Sequence, residues 1–191
     1  IGFTTAPMVD ATEIDLADID ILTVNFYYNN PEQETSRLAK IAHDKGVTVI
    51  ASDVLDENNI LFNASSILIN SRAVMAKILP DTDHQNHTID LQKKHGGIVI
   101  MTDGENPVFA VDRDGKTFSI DVPQMDVHDT TGAGDAFRAG IIYGLIHDWA
   151  LEESLKLAVA AGSLQVERDA SEQAPTSLKD ALALAHQMTV K

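Results

Sequence analysis

An α/β fold, with a mostly parallel central sheet and an antiparallel hairpin at one edge, is what the spacing of apolar residues calls for. Four short β-branched runs, roughly Ile19 to Asn25, Val47 to Ala51, Ser66 to Asn70 and Ile98 to Thr102, alternate with segments of helical spacing and helical punctuation. Such alternation builds parallel βαβ units. After Thr102 the pattern changes: Val108 to Asp112 and Lys116 to Asp121 flank Asp114-Gly115, a pair suited to a tight turn that needs positive φ, so a ribbon on the sheet edge is expected. No internal repeat, low-complexity tract or linker-like stretch interrupts the chain, which reads as one continuous unit over residues 1–191.

The helices are marked by their ends. One follows Asn30 as N-cap with Pro31 at the first helical position, carries Glu32 and Glu34 in its first turn, and stops at Lys45 before Gly46. Another runs from Thr82 or Asp83 to His95 and is ended by Gly96 and Gly97. From Thr131 onward the chain is helical again, to Ile146, then Leu151 to Arg168, then Ser177 to Met188, with Pro175 in the loop between the last two.

Composition narrows the function. The chain has 191 residues, 44% of them apolar, enough for one sizeable core. A formal charge of −15 repels nucleic acid and anionic membrane over most of the surface, so neither is expected as a partner. No apolar run approaches the roughly 18 residues a membrane span needs, and no secretion signal opens the sequence. With no cysteine, disulfides and thiolate chemistry are excluded, and a cytoplasmic protein is expected. Because the chain begins at Ile1 rather than methionine, it reads as part of a longer product.

The chemistry concentrates in Asp129 to Asp135, D-T-T-G-A-G-D. Gly132, Ala133 and Gly134 are small residues where a loop becomes a helix, followed by the apolar stripe Ala136, Phe137, Ile141, Ile142 and Leu145. A helix N-terminus offers unsatisfied amides and partial positive charge, both of which favour a phosphate oxygen. Asp135 stands in the first turn, where the dipole favours an anionic side chain able to accept a proton from a substrate hydroxyl. A base beside an anion hole is what phosphoryl transfer to an alcohol requires. Taken alone, a G-A-G-D string is more often a tight loop with a first-turn acid. Other motifs fail on spacing: the third small residue of G-x-G-x-x-G would fall on Phe137, and no G-K-[ST] follows a glycine loop.

The longer string from Asp129 to Gly140, D-T-T-G-A-G-D-A-F-R-A-G, resembles the C-terminal motif of the ribokinase-like sugar and nucleoside kinases, the phosphofructokinase B family. That resemblance implies a three-layer α/β/α fold and ATP-dependent phosphorylation of a sugar or nucleoside, with Mg²⁺. It makes Asp135 the catalytic base and Gly132, Ala133 and Gly134 the anion hole. Asp129 and Thr131 match positions that in many members help hold a monovalent cation, K⁺; Asx and Ser/Thr turns that merely stabilise the loop are the equal alternative. Asn70 resembles the asparagine of an N-x-x-E motif near magnesium and the phosphates. Thr102 and Gly104 resemble a T-x-G turn that contacts the nucleotide. The helix with Ala158, Ala160, Ala161 and Gly162 resembles the one lining the adenine pocket. Family dimers often form through a β lid, which makes a homodimer the oligomer the resemblance allows.

The sequence departs from the family pattern in three places. Ala73 replaces the glutamate of N-x-x-E, which should weaken metal handling unless Asp53 or another acid serves instead. Asn106 and Pro107 displace a glycine usual after the T-x-G turn. Nothing before Ile19 resembles the glycine-rich sugar-binding motif or the lid, so the likeness covers the C-terminal two-thirds of the family domain, and the substrate's identity is hidden with the rest. A second reading is therefore a nucleotide-binding regulatory module without turnover. Asp83, His84 and His87 have ligand-like spacing but read as a solvated helix start. Asp112, Asp114 and Gly115 lack the later glutamate of a calcium loop. Trp149, Glu152 and Glu153 read as a helix entry.

Overall fold

The computed structural model describes residues 10–25, 34–168 and 176–191. The helix start at Asn30, Pro31 and Glu32 and the loop at Pro175 lie outside them. The chain divides into two compact units between Ile100 and Met101.

In the first unit, β1 (Ile21–Asn25), β2 (Thr48–Ser52) and β3 (Ile67–Ser71) pair in parallel, with Ile21 opposite Thr48 and Ile50 opposite Ile67. The first half of β4 (Ile98–Asp103) follows them in the strand order. Val49, Ile50 and Ala51 are fully buried, as a strand covered on both faces requires. The crossovers are α1 (Glu34–Asp44), the short α2 (Ile60–Ala64) and α3 (Arg72–Ile78), and α4 (His84–His95). Local chemistry sets their ends. The Asp83 carboxylate accepts the amides of Gln85 and Asn86 at 3.1 and 3.2 Å. Gly96, at φ +75°, closes α4 with its amide on the Gln92 carbonyl, and Gly46 at φ +83° follows α1.

His95, the last residue of α4, fastens that helix to the strand connection before β3. Gly97 donates its amide to Nδ1 at 3.2 Å, and Nε2 lies 3.0 Å from the Ser65 carbonyl. An amide only donates and a carbonyl only accepts, so the ring carries its proton on Nε2. Burial pushes this imidazole below its ordinary 6.5, against the opposing pull of the Ser65 and Phe62 carbonyls. As pH falls below about 6.5 the unfolded chain takes up a proton that the folded ring resists, so stability is full above that pH and is lost as pH drops through the lowered folded value. We expect the urea midpoint to fall between about pH 7 and pH 5, and to fall less in His95→Gln, whose amide still reaches Ser65. Equal slopes in the two proteins would refute this role.

In the second unit the sheet order continues β4, β5 (Asn106–Val111), β6 (Thr117–Ile120). Only Gly104 and Glu105 separate β4 from β5, a loop so short that the strands must run antiparallel. β5 and β6 pair antiparallel with Val108 opposite Ile120. Their turn is longer than the Asp114-Gly115 pair suggests. The Asp112 amide donates to the Lys116 carbonyl at 3.0 Å, and only Gly115 has positive φ, +82°; this is the three-residue loop with one left-handed position. The Asp112 carboxylate accepts the amides of Asp114 and Lys116. The outer edge of β6 is covered by the chain's own end, where Val190 bridges to Ile120.

Three helices complete this unit: α5 (Ala133–Ile146), α6 (Leu151–Val166) and α7 (Leu178–Ala185). On α6, Leu155, Leu157, Ala158, Val159 and Ala160 are all buried, the mark of a helix enclosed by its neighbours. α5 meets it through glycines. A Cβ on Gly140 would lie 2.5 Å from Ala158 Cα, and one on Gly144 would lie 2.0 Å from Ser154 Oγ. At the entry to α6, Trp149 packs edge-on against Tyr143, with ring centroids 5.3 Å apart. No helix among the described residues is long and apolar enough to cross a membrane.

Candidate active site

The second unit holds a cavity of about 730 Å³, within the range of small-molecule sites. Its walls come from the β4–β5 turn (Thr102, Gly104, Asn106), the segment Val122–Val127, the start of α5 (Ala133, Gly134, Phe137) and one face of α6 (Val159, Gly162, Ser163). Thr102, Gly104, Ala133, Gly134 and Gly162 thus meet around one space. Ala160 does not reach it: that residue is fully buried on another side of α6. Sequence reasoning missed the Val122–Val127 wall, since that stretch belongs to no regular element. Nor did it mark Val108, Val159 or Ser163, whose place in the wall depends only on which face of strand or helix turns inward.

The loop before α5 is built by short-range hydrogen bonds. Asp129 Oδ1 accepts the Thr131 amide at 2.9 Å, an Asx turn. The amides of His128 and Asp129 both donate to the Val166 carbonyl, at 2.8 and 3.2 Å, tying the loop to the end of α6. Gly132 caps α5 at φ +81°, a left-handed conformation that glycine adopts without strain.

Among the expected anion-hole donors, Ala133 gives its amide to the Thr130 carbonyl at 3.2 Å. The amides of Gly132, Gly134 and Asp135 donate to no backbone carbonyl among the described residues. A Cβ built on Gly134 meets nothing within 4 Å: the glycine leaves open space over these amides rather than relieving a packing clash. A Cβ on Gly162 would lie 3.2 Å from the Ala133 carbonyl oxygen, so its bare backbone lets α6 approach the start of α5. The Asp135 side chain is 77% exposed and lies 3.5 Å from Arg138 Nη1, so the carboxylate faces solvent beside the cradle.

In the first unit, Asn70 is buried with both polar atoms on Val54: Oδ1 accepts the Val54 amide at 3.0 Å, and Nδ2 donates to its carbonyl at 3.3 Å. It staples the end of β3 to the loop after β2. Asp53, at φ +58°, accepts the Ser71 amide at 2.8 Å at the start of α3, whose first turn carries no acid.

The chain is similar to known sugar kinases. It is 33% identical over 69 residues to a 5-dehydro-2-deoxygluconokinase of Geobacillus kaustophilus, an alignment covering 36% of this chain and 21% of that enzyme. Ribokinase from Thermotoga maritima superposes with TM-score 0.76 at 19% identity, over 92% of this chain and 61% of that one. Arabidopsis thaliana ribokinase complexed with ribose and ATP gives 0.71 at 23% identity, over 87% and 55%. The fold is the three-layer α/β arrangement of these neighbours, with an antiparallel pair in a mostly parallel sheet, and the chain spans only part of each relative's length. The model of the pfkB family carbohydrate kinases matches residues 4–177, including the whole Asp129 to Gly140 motif. The chain belongs to that family.

Proposed function

We propose that the protein containing this chain transfers the γ-phosphoryl group of ATP to a hydroxyl of a sugar or related small polar alcohol. One observation carries the reading: an exposed carboxylate at the start of a helix where the amides of Gly132, Gly134 and Asp135 donate to no backbone carbonyl among the described residues, beside a cavity of about 730 Å³. Asp135 accepts the proton of the attacking hydroxyl. The amides of Gly132, Gly134 and Asp135 receive the charge that builds on the phosphoryl oxygens, fixed in advance by the Asp129 turn. Thr102 and Gly104 border the nucleotide on one side and Gly162 on the other. No group of three His, Cys, Asp or Glu among the described residues is placed to hold a metal, so Mg²⁺ would arrive on the nucleotide phosphates, where it neutralises their charge.

The second reading, a nucleotide-binding module without turnover, is favoured by exposed Ala73 in the first turn of α3. One experiment separates them: ATP titration and phosphorylation of a sugar and nucleoside panel by the full-length protein and its Gly134→Ala variant. The added methyl fits the fold, and alanine is a better helix former by about 1 kcal/mol, yet it fills the cradle. We expect unchanged or higher stability with at least about tenfold weaker turnover. ATP binding without phosphorylation of any acceptor would select the regulatory module. Neither binding nor turnover would refute both.

A further inference from the structure

The family resemblance sets a monovalent cation beside Asp129 and Thr131, where atoms that would hold one are already engaged by the protein's own donors. Asp129 Oδ1 is taken by the Thr131 amide at 2.9 Å. The neighbouring Val166 carbonyl already accepts two amides, which uses both its lone pairs. The Thr131 carbonyl accepts Nε2 of Gln165, on the last turn of α6, at 3.4 Å. A carbonyl offers no proton, so the amide atom facing it must be the NH₂ group. Thr176 holds the opposite end, donating its hydroxyl to Gln165 Oε1 at 3.0 Å. The same side chain covers the corner of the loop: a Cβ on Gly132 would lie 3.6 Å from Nε2 and 3.9 Å from Cδ. The positive end of the Gln165 amide dipole therefore faces the Thr131 carbonyl, where it opposes a cation.

We infer that Gln165 is a positioning residue that restrains the catalytic loop in place of a monovalent cation, making the loop's order independent of potassium. Its bearing on catalysis rests on the kinase reading above; its hold on the loop does not. The test is hydrogen exchange over residues 129–135 in the full-length protein, in potassium chloride and in tetramethylammonium chloride of equal ionic strength, for wild type and Gln165→Glu. The substitution keeps the size but turns the group facing Thr131 from a donor into an acceptor. Wild-type exchange should be the same in both salts. In tetramethylammonium the variant should exchange faster by roughly three- to tenfold, the scale of one lost hydrogen bond. Potassium should slow it again by bridging the two acceptors. Faster exchange without that rescue still supports the donor role. Wild-type protection that rises in potassium, or a variant that exchanges like wild type in both salts, would overturn the inference. Failure to bind nucleotide would count against the kinase reading alone, because the exchange measurement needs no ligand.

Discussion

On the kinase reading, replacing Asp135 with asparagine should lower kcat for phosphoryl transfer by about 10²- to 10⁴-fold, the range a positioned general base contributes. The carboxamide keeps the shape of the carboxylate but takes no proton from an attacking hydroxyl. The side chain is 77% exposed, so its loss should cost the fold no more than about 0.5 kcal/mol. ATP affinity should change little, because the proposed contacts to the phosphates come from backbone amides rather than from this side chain. The contrast between lost turnover and retained binding makes the measurement specific: steady-state kinetics and ATP titration of the full-length variant. A kcat near that of wild type would mean that another group removes the proton.

Gly140→Ala should have the largest effect on stability. The new Cβ would stand 2.5 Å from Ala158 Cα, 2.6 Å from Ala158 N and 3.0 Å from the Leu157 carbonyl carbon. All three are backbone atoms, so no side chain can rotate away and α5 must move off α6. Overpacking of this kind costs about 1–3 kcal/mol, or several degrees of Tm at roughly 2–4 °C per kcal/mol in a chain of this size. Gly162 sits on the same helix against the Ala133 carbonyl, so the displacement should also weaken ATP binding. Thermal denaturation with and without ATP checks both effects. A variant that melts with wild type would show that the helix contact gives more easily than its geometry implies.

The two glycine substitutions separate two reasons for an identical residue in one motif. Gly134 stands over open space and Gly140 against a helix backbone, a distinction no sequence pattern carries. The pH dependence expected from His95 has the same origin, since the groups that hold its ring, Ser65 and Gly97, lie on opposite sides of it in sequence.

Much of the fold was legible in the residues because its signals are local. The Asp83 cap, the left-handed glycines at 46, 96, 115 and 132 and the β-branched runs state demands of the backbone at their own positions, and the expected strands and helices follow within a residue or two, except that the last helix stops at Ala185, three before Met188. The motif from Asp129 to Gly140 was legible for the same reason, being a loop and helix start contiguous in the chain. Tertiary packing decided the rest. Gln165 reaches Thr131 across 34 positions, Asn70 turns to Val54 across 16, and the irregular Val122–Val127 segment becomes a cavity wall. Such contacts depend on which faces of separate elements meet, and that is fixed by the burial of apolar surface over the whole unit rather than by the preference of any one residue.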